Sequence, residues 1–149
     1  MSIECVAALI AAHDRFHTIA FRARIQRQSD LASELDAFVE ALPNDDRLTF
    51  QGIGGAWHEI DPAMAAAIVR RVLEFDLAYG TREIDEQDAL KICASFLHLF
   101  RPDARFFTNG LFSQHGWSGW GRVANATFET GVIAIDSRNI GILWCHDED

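Results

Sequence analysis

The chain has 149 residues, 49% of them hydrophobic and 23% charged, with 22 acidic against 13 basic side chains and a net charge of −9. That length and apolar content suit one domain with a substantial core and argue against disorder. The acid surplus argues against nucleic acid, whose phosphates are bound by cationic side chains that release counterions, and no stretch approaches the ~20 apolar residues of a membrane span.

The surplus is general: residues 1 to 60, 61 to 100 and 101 to 149 each hold more acids than bases. Lys91 is the single lysine, so positive charge is nearly all guanidinium, which pairs with carboxylates in a fixed fork and predicts surface Arg–carboxylate bridges. Cys5, Cys93 and Cys145 have no metal-ligand spacing and cannot all pair within one chain, which fits a reduced compartment. His13, Asp14 and Arg15 interrupt the first apolar run before it makes a secretory signal. The expected location is cytoplasmic.

In chain order, Val6, Leu9, Ile10, Phe16, Ala20 and Phe21, with Arg22, Arg24 and Arg27 at the far end, predict an amphipathic helix over residues 3 to 27. Leu31, Leu35, Phe38, Val39 and Leu42 predict a second from Asp30 to Ala41, ended by Pro43. Residues 44 to 60 have no clear period, and Gly52, Gly54 and Gly55 mark a loop with one short extended piece. Asp61 and Pro62 supply an N-cap and a first-turn proline for a third helix burying Met64, Ile68, Val72, Leu73 and Phe75, with Gly80 as its stop. Asp85 caps a fourth, with Ala89, Cys93, Phe96, Leu97 and Phe100 on one face, closed by Pro102.

After Pro102 the pattern changes to short β-like runs. Thr108, Asn109 and Gly110 mark a turn, and residues 116 to 121 form a glycine-rich aromatic loop. Asp136, Ser137, Arg138 and Asn139 read as the turn of a hairpin joining Val132–Ile135 to Ile140–Trp144. The unbroken apolar run Val132 to Ile135 predicts a strand covered on both faces. The fold expected is α+β: one domain over residues 1 to 149, N-terminal helices (about 3 to 101) packed on a small C-terminal antiparallel sheet (about 104 to 146).

Among the residues that could carry chemistry, His13 and His17 stand four apart, as two zinc ligands on one helix face would. Asp14 replaces the glutamate of zinc peptidases, and no third ligand follows at a recognised spacing. His58 with Glu59, and His115, could act as acid or base, but no nucleophile sits in a glycine elbow and no Lys-Ser or Lys-Thr follows the glycines at 52 to 55. No catalytic residue, metal or cofactor is therefore assigned. A metal-dependent hydrolase built on the His pair is the alternative kept, together with a structural subunit of an intracellular assembly.

Charge carries more. Asp30, Glu34, Asp36, Glu40, Asp45 and Asp46 run without an intervening base, Glu74 to Asp88 holds six acids and only Arg82, and Asp147, Glu148 and Asp149 end the chain. Asp30 and Glu34 are like charges at i and i+4, unfavourable in an isolated helix. Trp117 and Trp120, in the glycine-rich loop, have the character of interface anchors or of a lid folded back on the sheet.

From Phe106 onward, the succession Phe106-Phe107-Thr108-Asn109-Gly110, Trp117, the run Ala126 to Asp136 and Ile140 to Trp144 before the acidic end resembles the C-terminal half of immunity proteins of bacterial polymorphic toxin and contact-dependent inhibition systems. The resemblance implies a small cytoplasmic protein without catalysis that binds and neutralises a cognate toxin domain, many such toxins being nucleases with cationic clefts. An acidic partner fits such a cleft, because complementary charge speeds association and a few buried aromatics carry affinity. The expected contacts are Asp30, Glu34, Asp36, Glu40, Asp45, Asp46, Trp117, Trp120, Asp147, Glu148 and Asp149.

Overall fold

The computed structural model describes residues 3–13, 17–24, 30–43, 49–77, 79–113, 116–118, 121–124, 126 and 128–147, with the backbone alone for 9–13, 111–113, 116–118, 128 and 147. Three helices begin on an aspartate that closes the first turn. Asp30 accepts from the Ser33 amide at 2.8 Å ahead of α2 (Leu31–Glu40). Asp61 accepts from Met64 at 2.7 Å ahead of α3 (Pro62–Glu74), and Asp85 from Asp88 at 3.0 Å ahead of α4 (Glu86–Leu97). Each carboxylate satisfies an amide that has no partner within its helix and lies at the positive end of the helix dipole.

The first helix is shorter than its periodicity suggests. α1 (Ile3–His13) stops before residue 17, and β1 (His17–Ala23) follows. Thr18, Ile19 and Phe21 favour an extended, half-buried backbone, and the long β7 (Asn139–Asp147) offers them a ladder in which His17 lies opposite Cys145 and Ala23 opposite Asn139. Tertiary pairing overrides the three- and four-residue spacing of Phe16, Ala20 and Phe21. The third helix also ends early: α3 stops at Glu74, and the Asp76 carboxylate takes the amides of Tyr79 at 2.6 Å and Gly80 at 2.7 Å, making a turn in which Gly80 adopts a φ of 70°. Gly80 serves that turn rather than the helix terminus.

The remaining strands are β2 (His58–Ile60), β3 (Arg105–Thr108), β4 (Leu111–Ser113), β5 (Gly116–Ser118) and β6 (Phe128–Ile135). Five of the seven strands among the described residues form one antiparallel sheet in the order β1-β7-β6-β3-β2, while β4 and β5 pair as a separate hairpin. The fold is α+β, with helices mostly N-terminal and the sheet mostly C-terminal. Both edge strands nevertheless come from the N-terminal part, β1 from the segment read as helix and β2 from the short extended piece before Asp61. The β6–β7 hairpin turns at Asp136, whose carboxylate accepts the Arg138 and Asn139 amides at 2.8 and 2.6 Å.

The sheet is covered on both faces. On one, Val6 of α1, Ile68, Val69 and Val72 of α3, and Ile92, Cys93 and Phe96 of α4 pack over Phe106, Val132, Ala134, Leu143 and Cys145. On the other, Leu35, Phe38 and Val39 of α2, joined by Phe50, Val123 and Ala124, pack over Phe107, Ile133, Ile135, Ile140, Ile142 and Trp144. This double cover explains why Val132 to Ile135 shows no polar alternation: successive side chains enter opposite cores. Trp144 lies across Gly131, its cross-strand partner, where an added Cβ would come within 2.7 Å of Trp144 Cα and 2.9 Å of its ring.

Candidate functional site

The described acids of the first charged run do different jobs. Glu34 is buried, and its two oxygens receive Nε and Nη2 of Arg24, both at 2.6 Å. The third arm of Arg24, Nη1, donates to the Asp136 carbonyl at 2.8 Å, so the pair ties α2 to the β6–β7 turn. The hydrogen bond to Glu34 raises the Arg24 pKa above its ordinary value, against desolvation, with the charges of Glu34, Asp136 and Asp103 adding to the rise. The like-charge spacing of Asp30 and Glu34 is thereby relieved by a base outside the segment.

Asp36 turns toward the loop before β2. Its carboxylate accepts from the amides of Ile53 at 2.9 Å and Gly54 at 3.1 Å, and from Trp57 Nε1 at 2.8 Å. Those amides open the single 3-10 turn Gly54–Ala56, which gains an anion at its positive end. The anchored Trp57 ring meets Trp144 edge to face, centroids 6.3 Å apart. Asp30 keeps an exposed carboxylate although it caps α2, and Glu40 is exposed at that helix's last residue.

Asp45, Asp46, Trp120, Glu148 and Asp149 lie outside the described residues, as do Asp14 and His115. Trp117 and Asp147 are placed by their backbones: Trp117 opposite Phe112 in the β4–β5 hairpin, Asp147 opposite Phe128 at the end of β7. The shared helix face expected for His13 and His17 is not formed, because α1 ends at His13 and His17 opens β1. His17 Nε2 is within 2.6 Å of the Val72 carbonyl of α3, a contact that binds strand to helix. Among the described residues no group of three His, Cys, Asp or Glu side chains is arranged to hold a metal ion.

A second polar cluster, unforeseen from the sequence, lies inside the fold where β3 and β6 meet residues 121–124. Glu129 is fully buried, and its Oε1 accepts the amides of Val123 at 2.6 Å and Ala124 at 2.7 Å. Its Oε2 and the indole Nε1 of Trp144 are both buried and short of a well-formed hydrogen bond. Burial raises the Glu129 pKa above its ordinary value, against the pull of the Ala124, Val123 and Ala126 amides and of the nearby indole.

Asn109 completes the cluster. Its Nδ2 donates to the carbonyls of Gly121 at 2.8 Å and Glu129 at 3.1 Å, its Oδ1 accepts from Thr130 Oγ1 at 2.9 Å, and its own carbonyl accepts the Gly121 amide at 2.8 Å. Asn109 stands two residues before β4 and Gly121 three residues after β5, so this pair closes the hairpin at its base. The signal available in the sequence was the polar pair Glu129-Thr130 leading into the apolar run Val132 to Ile135 of the same strand.

The arrangement offers a rigid frame and a negative exterior. The Glu129 carboxyl is sealed from solvent, so its direct role is to hold chain segments together. Scanned against protein-family models, curated proteins and solved structures, the chain matches none of them. Among the described residues no helix is long and apolar enough to cross a membrane.

Proposed function

We propose that the protein is an immunity-type inhibitor that binds and neutralises a cognate toxin domain of basic surface, a nuclease being the toxin class whose cationic cleft it fits best. The observation that carries this reading is the surplus of 22 acids over 13 bases, much of which faces outward. Asp30, Glu40, Asp61, Asp85 and Asp103 are exposed, whereas several guanidiniums have partners within the chain. Arg24 serves Glu34, Arg105 grips Glu59 at 2.7 and 2.9 Å, and Arg71 and Arg82 lie over Phe75 at 4.6 and 4.7 Å from its centroid.

Because Glu34 and Asp36 have internal partners, the contribution of α2 to a partner surface narrows to its two ends, Asp30 and Glu40. Trp117, in a hairpin clamped at its base by Asn109 and Gly121, supplies the anchor in this reading, with Trp120 beside it in sequence. A cytoplasmic location belongs to the same proposal.

The test pairs the protein with the toxin domain encoded by the adjacent open reading frame. Neutralisation of that toxin on co-expression, with binding that weakens steeply with salt, is the expected result. Glu40→Lys is expected to slow association at low salt and Trp117→Ala to speed dissociation. An adjacent frame encoding no toxin, or a purified pair that neither binds nor neutralises, overturns the reading.

A further inference from the structure

The sheet ends on β1 at one side and on β2 at the other, and the two edges are finished differently. We propose that the outer edge of β1 pairs antiparallel with β1 of a second copy of this chain, joining two five-stranded sheets into one about a two-fold axis at Ala20.

The ladder shows which backbone groups are left over. The Arg24 amide donates to the Arg138 carbonyl at 2.7 Å, one step beyond the Ala23–Asn139 pair, so Arg24, Arg22, Ala20 and Thr18 turn their backbone groups toward β7. The Ala20 carbonyl agrees, lying 3.0 Å from where a Cβ on Gly141 would stand. Ile19, Phe21 and Ala23 consequently point N–H and C=O away from the sheet, and among the described residues no other strand pairs there. Edges are usually blunted by shortness, proline, a bulge or inward charge. β2 is three residues long and runs into Asp61-Pro62. β1 instead keeps an unbroken seven-residue register with β7, without proline or bulge.

Register and charge select the occupant. With Ala20 facing Ala20 of the second copy, the whole of β1 overlaps, and Ile19 falls opposite Phe21 as a pair exchanging both backbone hydrogen bonds, repeated across the axis. Ile19 packs on the core beneath α1, α3 and α4, and Phe21 meets Phe100 edge to face at 5.4 Å. Pairing therefore sets apolar against apolar on that face of the junction. Thr18 falls opposite Arg22, which keeps the two Arg22 side chains at opposite ends of the contact. β1 holds no acid, so the negative charge of the two copies is not brought together at the axis. An edge flanked by Arg22 suits a basic toxin poorly, and the inference stands apart from the partner reading. A strand-to-strand contact buries less than the ~1,200 Å² of a stable interface, so the dimer is weak and concentration-dependent.

Sedimentation equilibrium of the purified full chain, with no toxin present, is expected to show monomer and dimer in exchange. Hydrogen exchange at the Ile19 and Phe21 amides should slow as concentration rises, while Ala20 and Arg22, already bonded to β7, change far less. Thr18→Arg sets like charges opposite each other at both ends of the junction and is expected to weaken the dimer about tenfold. Adding Arg22→Glu should restore it, because positions 18 and 22 face each other only between copies. A protein monomeric up to about 1 mM, a dimer unmoved by Thr18→Arg, or a loss that Arg22→Glu does not restore would each overturn the proposal. So would β1 amides protected only once a toxin domain is added, which would assign the edge to that partner. Should Thr18→Arg fail to fold, wild-type exchange at Ile19 and Phe21 decides the matter, and indifference to concentration refutes the pairing.

Discussion

Arg24 and Glu34 meet fork to fork across the boundary between β1 and α2, both N–O distances 2.6 Å, with side chains only 13% and 8% exposed. A bidentate, largely enclosed pair differs from a mobile surface bridge: removing one partner leaves the other charge without compensation. Arg24→Ala or Glu34→Ala is expected to cost about 2 to 3 kcal/mol in denaturant unfolding. The double variant should cost less than the sum of the two, and strictly additive losses would refute the coupling.

Asp36 gathers three donors from the 53–57 segment. Asp36→Ala leaves the amides of Ile53 and Gly54 and the indole of Trp57 without that acceptor, and a loss of about 2 kcal/mol is expected. Trp57 should lose its fixed edge-to-face contact with Trp144, visible as a weakened near-UV circular dichroism signal. An unchanged signal would mean that Trp57 is held by packing alone.

Asp136 titrates in the opposite sense to Glu129. Burial pushes its carboxyl up, but the amides of Arg101, Arg138 and Asn139 and the charge of Arg101 outweigh this, and the net pKa lies below the ordinary 3.8. A carboxylate with a depressed folded-state pKa contributes stability above its unfolded value and loses it as pH falls through the folded one. Asp136→Asn should therefore be less stable than wild type at pH 7, with the gap closing below about pH 3.8. A gap constant with pH would show that the bonds matter and the charge does not.

Gly131→Ala places a methyl group against the Leu143 carbonyl and within 2.7 Å of Trp144 Cα. The central strands cannot separate without breaking their ladder, so a loss of about 3 kcal/mol is expected. Thermal unfolding measures it, and a near-neutral result would mean that the β6 and β7 backbones can part locally at little cost.

The parts of the fold that were legible in the sequence depend on neighbours in the chain. Asp30, Asp61 with Pro62, and Asp85 mark helix starts because a cap reaches only two or three residues ahead. Val132 to Ile135 declares a strand with two covered faces, and Asp136 to Asn139 its turn, since both patterns are complete within a few residues. The charge surplus was equally plain. It could not distinguish Asp30 and Glu40, which face solvent, from Glu34 and Asp36, which the fold consumes, because their partners Arg24, Ile53, Gly54 and Trp57 lie beyond the helix that carries them.

What the sequence determined by itself was therefore local: helix starts, the β6–β7 hairpin, the α+β class and a negative balance. Tertiary structure decided the remainder. It turned residues 17 to 23 from an apparent helix into an edge strand, because pairing with the distant β7 satisfies the backbone and buries Ile19 and Ala20 on opposite faces. It also buried Glu129 beneath residues 121–124, where the Val123 and Ala124 amides meet its carboxyl. Long-range pairing and desolvation arise only when distant residues meet, and no local pattern encodes them.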